Sequence, residues 1–297
     1  MWHARPLMQR RGLVAAAIPG YPQGMETLLR HIATVNDARL PGARIPFLIG
    51  PDQVGWLKPA LAEAVAGFNH VHRGSAGVVL DAAAADDLAG IARDLAGQGL
   101  LRFRCEAFDV RATWDGPVLS TIDRGALPAF GIEAQGIHLD GLVRKPDGLH
   151  IWIARRARDK ALDPGKLDHI VAGGMPAGHD PDETLIKEAA EEAAMPEHLA
   201  RRAVRTGIIR YAMERPEGLR RDVLHCYEVE LPDDFTPCAS DGEVESFELY
   251  PLAEIAEAIR ASSRFKFNVS VVLAALMLRH GLYSGTDAAQ LEAALPR

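Results

Sequence analysis

The chain has little of what marks a secreted, membrane-spanning or broadly nucleic-acid-binding protein. Its 297 residues include only three cysteines, Cys105, Cys226 and Cys238. Their spacing fits neither a disulfide framework nor a zinc site. A reducing cytoplasm is the compartment this usage leads one to expect. No run of about 18 apolar residues marks a membrane helix. Basic residues are not in excess, since the formal net charge is −7. That balance argues against broad nonspecific nucleic-acid binding. The GxxxxGK[ST] pattern of a phosphate-binding loop is absent, which excludes a P-loop kinase. Internal repeats and low-complexity tracts are absent too.

What remains is an ordinary globular composition, 48% hydrophobic and 25% charged. The length suits two domains of about 100–200 residues each. The start carries basic residues and a short apolar run, Leu13 to Ile18. That run is short for a signal peptide, so an extended tail is expected rather than a cleaved leader. Met25 to Asn36 places Leu28, Leu29, Ile32 and Val35 at helical spacing. A strand over Ile45–Ile49, a helix over Val54–Val65, a strand over Gly77–Leu80 and a helix over Ala83–Gln98 follow. Arg102–Val110 and Val118–Ile122 read as strands. The first half, residues 1–130, is therefore expected to be a smaller α+β domain. His70, His72 and Arg73 cluster within it and read best as polar loop residues.

The second half, residues 131–297, opens on strands over Gly136–Arg144 and Leu149–Arg156. Lys145-Pro146-Asp147-Gly148 between them has good turn chemistry. His138 and Asp140 alternate with apolar residues, and fit a polar cleft wall or a solvent face equally well. Strands over Gly207–Glu214, Asp222–Glu230 and Val244–Tyr250 come later, then helices over Pro251–Ala261 and Asn268–His280.

Between these elements lies GGMPAGHDPDETLIKEAAEEAAM, Gly173 to Met195. Gly173 and Gly174 allow close backbone approach to a ligand. Asp180 caps a helix, Pro181 suits its first position, and Glu183 completes a capping box. Leu185, Ile186, Ala189, Ala190 and Ala193 give an apolar side. Glu188, Glu191 and Glu192 lie three and four residues apart, on one face. Crowded carboxylates repel unless a cation sits among them, and hard oxygen ligands suit Mg²⁺ or Mn²⁺. A solvated acidic face is the plainer alternative for the glutamates alone.

This segment resembles a Nudix box. Gly173 takes the first glycine, Lys187-Glu188 the Arg-Glu pair, Glu191-Glu192 the Glu-Glu pair and Met195 the last apolar position. His179 stands where the box has its first Glu, Lys187 where it has Arg, and Ala194 where it has its last Gly. In the family that Glu and Arg mostly brace the loop and helix. The metal carboxylates are intact, so loop geometry is in question more than metal binding. Further segments resemble one branch of the family. They are RFRCEAFDVRATWDGPVLSTIDRGALPAFGI, the stretch from Phe130 to His179, DGEVESFELYPLAEI and RFKFNVSVVLAALMLRHGLY. Members of that branch carry an extra N-terminal domain, and some are fused to thiamine pyrophosphokinase. The resemblance implies an α/β/α Nudix sandwich after the α+β domain. It also implies hydrolysis of a thiamine diphosphate-type compound, especially an oxidised analogue, to the monophosphate and phosphate.

The chemistry expected of the residues follows from charge. Glu188 and Glu192 are assigned mainly to the metal, and Glu191 to metal and a base role. Family members often use a further acid downstream, which Glu243 or Glu245 is placed to supply. Arg155 is the first choice for a phosphate clamp among Arg155, Arg156, Arg158 and Lys160. Gly173 and Gly174 are expected at the substrate, with Lys166 and Asp168 as weaker positioning candidates. A nucleoside diphosphate derivative is the alternative substrate, and a non-catalytic Nudix sensor the alternative class. A Cys and Glu matching the isopentenyl diphosphate isomerase pair are not found. The partner is thus a small-molecule diphosphate, with no nucleic acid and no membrane. The sequence leaves open whether the N-terminal half supplies substrate contacts or a homodimer face.

Overall fold

A computed structural model describes residues 24–240 and 242–296. The run Leu13 to Ile18 lies outside the described residues. In chain order the first part holds α1 (Met25–Val35), β1 (Ile45–Ile49), β2 (Asp52–Leu57), α2 (Pro59–Val65), β3 (Val71–Gly74) and β4 (Gly77–Leu80). A 3₁₀ turn (Ala82–Asp87), α3 (Leu88–Gly97), β5 (Ala107–Val110), β6 (Ser120–Asp123) and α4 (Leu127–Phe130) follow. The second part runs β7 (Glu133–Lys145), β8 (Gly148–Arg156), β9 (Leu167–His169), β10 (Val171–Gly174), α5 (Pro181–Ala193) and α6 (Glu197–Ala200). It ends with β11 (Val204–Arg215), β12 (Gly218–Glu230), β13 (Val244–Pro251), α7 (Leu252–Ala261), α8 (Val269–Arg279) and α9 (Gly285–Ala294). Among the described residues no helix is long and apolar enough to cross a membrane.

The second part is built on a seven-stranded sheet in the order β11-β12-β7-β8-β13, with β10 paired to β7 and β9 to β8. Strand alternation divides β7 between two cores. Ile137, Leu139 and Val143 face α5 and α6, in a core with Leu185, Ala189 and Ala193. Leu142 faces the opposite layer with Ile151, Ile153, Leu273 and Met277. The result is the α/β/α sandwich expected of the second half.

The first part has its own core of Phe47, Leu57, Val65, Leu80, Leu95, Phe108 and Phe130. It covers a four-stranded sheet, β2-β1-β4-β3, and the β5–β6 pair. Two sequence expectations are corrected here. Val54–Val65 is not one helix, because β2 folds back on β1 with Ile49 opposite Asp52. Gly55 in β2 explains why no side chain fits there: an added Cβ would lie 2.4 Å from the Phe130 carbonyl oxygen. The strand expected over Arg102–Val110 shortens to β5. The Arg104 and Glu106 amides instead donate to the Asp123 carboxylate, at 2.8 and 3.1 Å, and leave the ladder.

α1 departs from the expected division at residue 130. It packs against α7, α8 and α9 and adds Leu28, Ile32 and Val35 to the second part's core. His72 and Arg73 lie on exposed β3 and pair with Asp81 and Glu63.

The box helix α5 has the expected capping box: Glu183 N–H donates to Asp180, and the Asp180 amide to Glu183. It ends at Ala194, held at φ 49° and ψ 36°. That left-handed conformation costs an L-residue with a Cβ about 1–2 kcal/mol. Ala194 is exposed. Ala194→Gly is therefore expected to stabilise the chain by about 0.5–1 kcal/mol, after the larger unfolded-state entropy of glycine is subtracted. Denaturant unfolding measures this, and an unchanged midpoint would refute it.

Candidate active site

β10 pairs antiparallel with β7, placing Gly173 opposite Ile137 and Gly174 opposite Gly136. The strand thereby passes directly over α5. The Ala172 amide donates to the Glu192 carboxylate at 2.8 Å. A Cβ on Gly173 would lie 2.5 Å from Glu188 Cδ, so the Glu188 carboxylate fills the space a side chain would need. Glu192 is only 7% exposed. Among the described residues it has no basic partner. Burial pushes its carboxyl up to about 8; the Ala172 amide opposes this, while Asp168, Glu188 and Glu243 add to it. Burial also raises Glu188, against the pull of Lys187 and with a further push from Glu191 and Glu243.

Such a set fits a hard divalent cation. It consists of carboxylate oxygens that raise one another's proton affinity, and the most buried of them, Glu192, has no basic partner among the described residues. Glu188 and Glu192 would hold the ion, with Glu243 near both. Glu191 is placed differently from its expected role. Its half-exposed carboxylate accepts from Lys187 Nζ at 2.6 Å on the outer side of the helix, where Lys187 also reaches Glu188 at 3.1 Å.

Of the other expected residues, Glu243 lines the adjoining cavity and pairs with Lys160. Glu245 lies outside that cavity, 3.7 Å from Arg158. Arg155 is corrected: its guanidinium turns away to the Gly165 carbonyl at 3.2 Å. Strand alternation gives the cleft to Arg156 instead. Lys166 also lies outside the cavity and pairs with Asp163 at 3.3 Å. Asp168 is buried and holds Arg156 at 2.9 Å and Lys266 at 3.2 Å. Burial alone would raise its carboxyl, but Lys266, His138, His169 and Arg156 outweigh that and keep it below the ordinary range.

The cavity is about 690 Å³ and lies between the two parts of the chain. The first part contributes Arg102, Arg104, Glu106, Phe108 and Arg124 to its wall. The second contributes Gly173, Gly174 and a basic group that includes Arg156, Lys160, Arg215, Arg220, Arg221 and Lys266. The acidic lining, Glu106, Glu217, Asp222 and Glu243, is outnumbered. None of the first-part arginines was identifiable from sequence as facing a ligand, because their position depends on contact between units far apart in the chain.

At the cavity floor, where His138 reaches the lining, His138 and His169 are hydrogen-bonded through their Nδ1 atoms at 2.7 Å. His169 Nε2 is 3.3 Å from Asp140, and the Asn268 amide is 3.4 Å from His138 Nε2. His138, Asp168 and His169 offer atoms within 4.8 Å of one another, a spacing that could hold a metal. Asp168 is already neutralised by two cations, which would repel a third, so these residues form a polar core. Burial lowers His169 to about 4 and raises Asp140 to about 8, leaving a neutral pair. His138 and Asp140 thus share a buried face of β7, rather than a solvent face.

Phosphoanhydride chemistry suits both halves of this arrangement, since carboxylates of this kind suit a divalent cation and a mostly basic lining suits an anion. A profile described as NUDIX domain matches residues 138–268, and one described as Domain of unknown function (DUF4743) matches residues 27–134. Nudix hydrolase 24, chloroplastic, of Arabidopsis thaliana is 36% identical over 251 residues, covering 81% of this chain and 69% of that protein. Nudix hydrolase 20, chloroplastic, of the same plant is 35% identical over 257 residues, with the same coverage. The chain belongs to the Nudix hydrolase family. It is a Nudix-type diphosphate hydrolase with an N-terminal DUF4743 domain, and enzymes of this family generally use divalent metal ions. The crystal structure of DR0079 from Deinococcus radiodurans superposes with a TM-score of 0.43 at 19% identity, covering 57% of this chain and 97% of that one.

Two outcomes are expected. Gly173→Ala drives a methyl group into the Glu188 carboxylate and should weaken Mn²⁺ binding by about 10–100-fold; titration followed by electron paramagnetic resonance would show it, and an unchanged affinity would remove Glu188 from the metal site. The second concerns pH. The ordinary carboxyl value for Glu192 is 4.5 and its folded value about 8, so between them the folded chain keeps a proton that the unfolded chain has lost. The stability this group gives is complete below 4.5 and is lost as pH rises to about 8. Without divalent ions the chain should therefore be less stable at about pH 9 than at about pH 6. Glu192→Gln should shrink that difference, while Asp140 leaves a slope of the same sign. An equal loss in the variant would count against a raised Glu192.

Proposed function

We propose that the chain hydrolyses thiamine diphosphate-type compounds, with oxidised analogues preferred, to the monophosphate and phosphate, using Mg²⁺ or Mn²⁺. The observation that carries the metal chemistry is Glu192: a buried carboxylate with acids for neighbours and an amide for its hydrogen-bond partner. A divalent ion held there would neutralise phosphate oxygens and lower the pKa of a bound water.

The chain's own residues do the rest. Gly173 leaves room for the Glu188 carboxylate, and Gly174 lets Phe108 and Arg124 close against the backbone at the cavity wall. Glu243 stands at the cavity with Lys160 beside it, and is the candidate to accept a proton from the attacking water. Asp168 holds Arg156 and Lys266 in place at the cleft.

Charge supports the preference for oxidised analogues. The thiazolium ring of thiamine diphosphate is a cation, and it would enter a cavity whose basic side chains outnumber its acidic ones. An oxidised, uncharged ring avoids that repulsion and keeps the diphosphate. The same field also suits a nucleoside diphosphate derivative, which is the second reading.

The test is monophosphate formation, followed by chromatography, from oxothiamine diphosphate, thiamine diphosphate, ADP-ribose and NADH with Mg²⁺. Oxothiamine diphosphate is expected to be cleaved fastest, and Glu192→Gln to lower turnover by about 100-fold or more. Faster cleavage of a nucleotide would replace the substrate and keep the metal chemistry. Metal binding without cleavage of any of the four would identify a sensor.

A further inference from the structure

The first part of the chain does more than sit beside the Nudix box. The Ala177 amide, in the loop between β10 and α5, donates to the Ala107 carbonyl of β5 at 2.8 Å. The next amide, Gly178, donates to Asp109 of the same strand at 3.2 Å. A Cβ on Gly174 would lie 2.7 Å from Phe108 and 3.3 Å from the Arg124 guanidinium carbon. Arg124 and Phe108 therefore touch the second glycine of the pair whose first glycine covers Glu188.

Arg104 and Arg124 are fixed on one platform. Asp123, almost fully buried, accepts from the amides of Arg104, Glu106 and Gly125. That ties the two arginine-bearing segments together. Arg124 stacks over Phe108 at 5.5 Å and pairs with Glu106 at 2.8 Å. Arg220 of β12 approaches from the Nudix side, held by Asp222 and stacked 5.4 Å over Phe267. Arg104 stands among Arg124, Arg220 and Arg102. Among the described residues its side chain has no hydrogen-bond or ion-pair partner, although all four arginines line the cavity. Arg104 is exposed, so water can solvate it, but guanidiniums placed side by side repel one another and an anion among them relieves that repulsion. Guanidinium is also the group best shaped for two-point binding of phosphate.

We infer that Arg104, flanked by Arg124 and Arg220, binds the phosphate oxygens of the diphosphate, so that the N-terminal domain completes the substrate site. This rests on the proposed hydrolysis for the identity of the ligand, but anion binding itself does not need turnover. The ligand class is a diphosphate monoester, which would be held through a divalent ion on the box carboxylates and by guanidiniums from the appended domain. Arg104 is the determining residue, because among the described residues its side chain has no hydrogen-bond or ion-pair partner.

The experiment uses the full chain and methylenediphosphonate, a diphosphate that cannot be hydrolysed, in calorimetric titrations with Mg²⁺. Arg104→Ala is expected to weaken binding by about tenfold or more, the loss of a charged hydrogen-bonding partner. Arg104→Lys should recover part of it, and Arg144→Ala, a surface residue paired with Glu230, should bind like wild type. Mn²⁺ affinity and the unfolding midpoint should be unchanged in Arg104→Ala, since among the described residues the side chain has no hydrogen-bond or ion-pair partner. Wild-type affinity in Arg104→Ala, or no binding by the wild-type chain, would overturn the inference. Arg104-dependent binding in a chain that cleaves no diphosphate would sink the hydrolytic reading and leave the anion site standing.

Discussion

Glu192 has its carboxylate nearly out of water, bonded to the Ala172 amide at 2.8 Å, with Asp168, Glu188 and Glu243 as charged neighbours. Burying an acid among acids is unfavourable unless a proton or a cation is taken up. Much of the second part is arranged to keep that carboxylate in place. β10 can deliver the Ala172 amide because it pairs with β7 in the middle of the sheet. α5 can present Glu188 and Glu192 together because its start is fixed by reciprocal caps at Asp180 and Glu183. Its inner side is locked by Leu185, Ala189 and Ala193. Gly173 is the meeting point, since any side chain there would displace Glu188.

The loop between β10 and α5 needs support, because the brace that the Nudix box supplies with its first Glu is absent. His179 stands there, and its Nδ1 is buried without a hydrogen-bond partner. Support comes instead from outside the box, through Ala107 and Asp109 of β5 bonding the amides of Ala177 and Gly178. Gln135 adds to this, with its carbonyl bonded to Met175 N–H and its side chain to the Trp114 carbonyl. A function that one side chain performs locally in the family is performed here by a second domain. The same strand, β5, carries Phe108 into contact with Gly174, so loop support and cavity wall are one structure.

The box was legible because its physics is local. Caps, glycines and the three-and-four spacing of carboxylates all act within one helix and one turn. The spacing could not separate Glu191 from its neighbours: Lys187, four residues before it, draws it outward, whereas Glu188 and Glu192 meet β10. Arg155 and Arg156 show the limit most clearly. A one-residue difference decides which face of β8 a side chain takes, and the sequence around them is basic on both faces. Val54–Val65 has apolar spacing that suits a helix, yet its first residues pair with β1 because Gly50-Pro51 turns the chain back. The helix α9 and the short strand β10 carried too little periodicity to be read. Arg102, Arg104 and Arg124 were silent because their meaning lies in a contact with residues 173–178.

Charge bookkeeping in the cleft assigns a distinct part to each domain. Arg156 and Lys266 share Asp168, Arg220 has Asp222, Arg221 has Glu133, and Lys160 has Glu243. Most cations of the Nudix sandwich are therefore matched locally, and their field at a ligand is largely cancelled. Arg215 is the exception, stacked 5.2 Å over Phe267 with no acidic partner among the described residues. On the other wall Arg124 has Glu106, while Arg102 and Arg104 have no acidic partner among the described residues. Much of the uncompensated positive charge at the cavity thus belongs to the first domain. The sandwich brings carboxylates that call for a metal, and the appended domain brings the positive field that calls for an anion. A metal-bound diphosphate would satisfy both at once, in a cavity that both domains line.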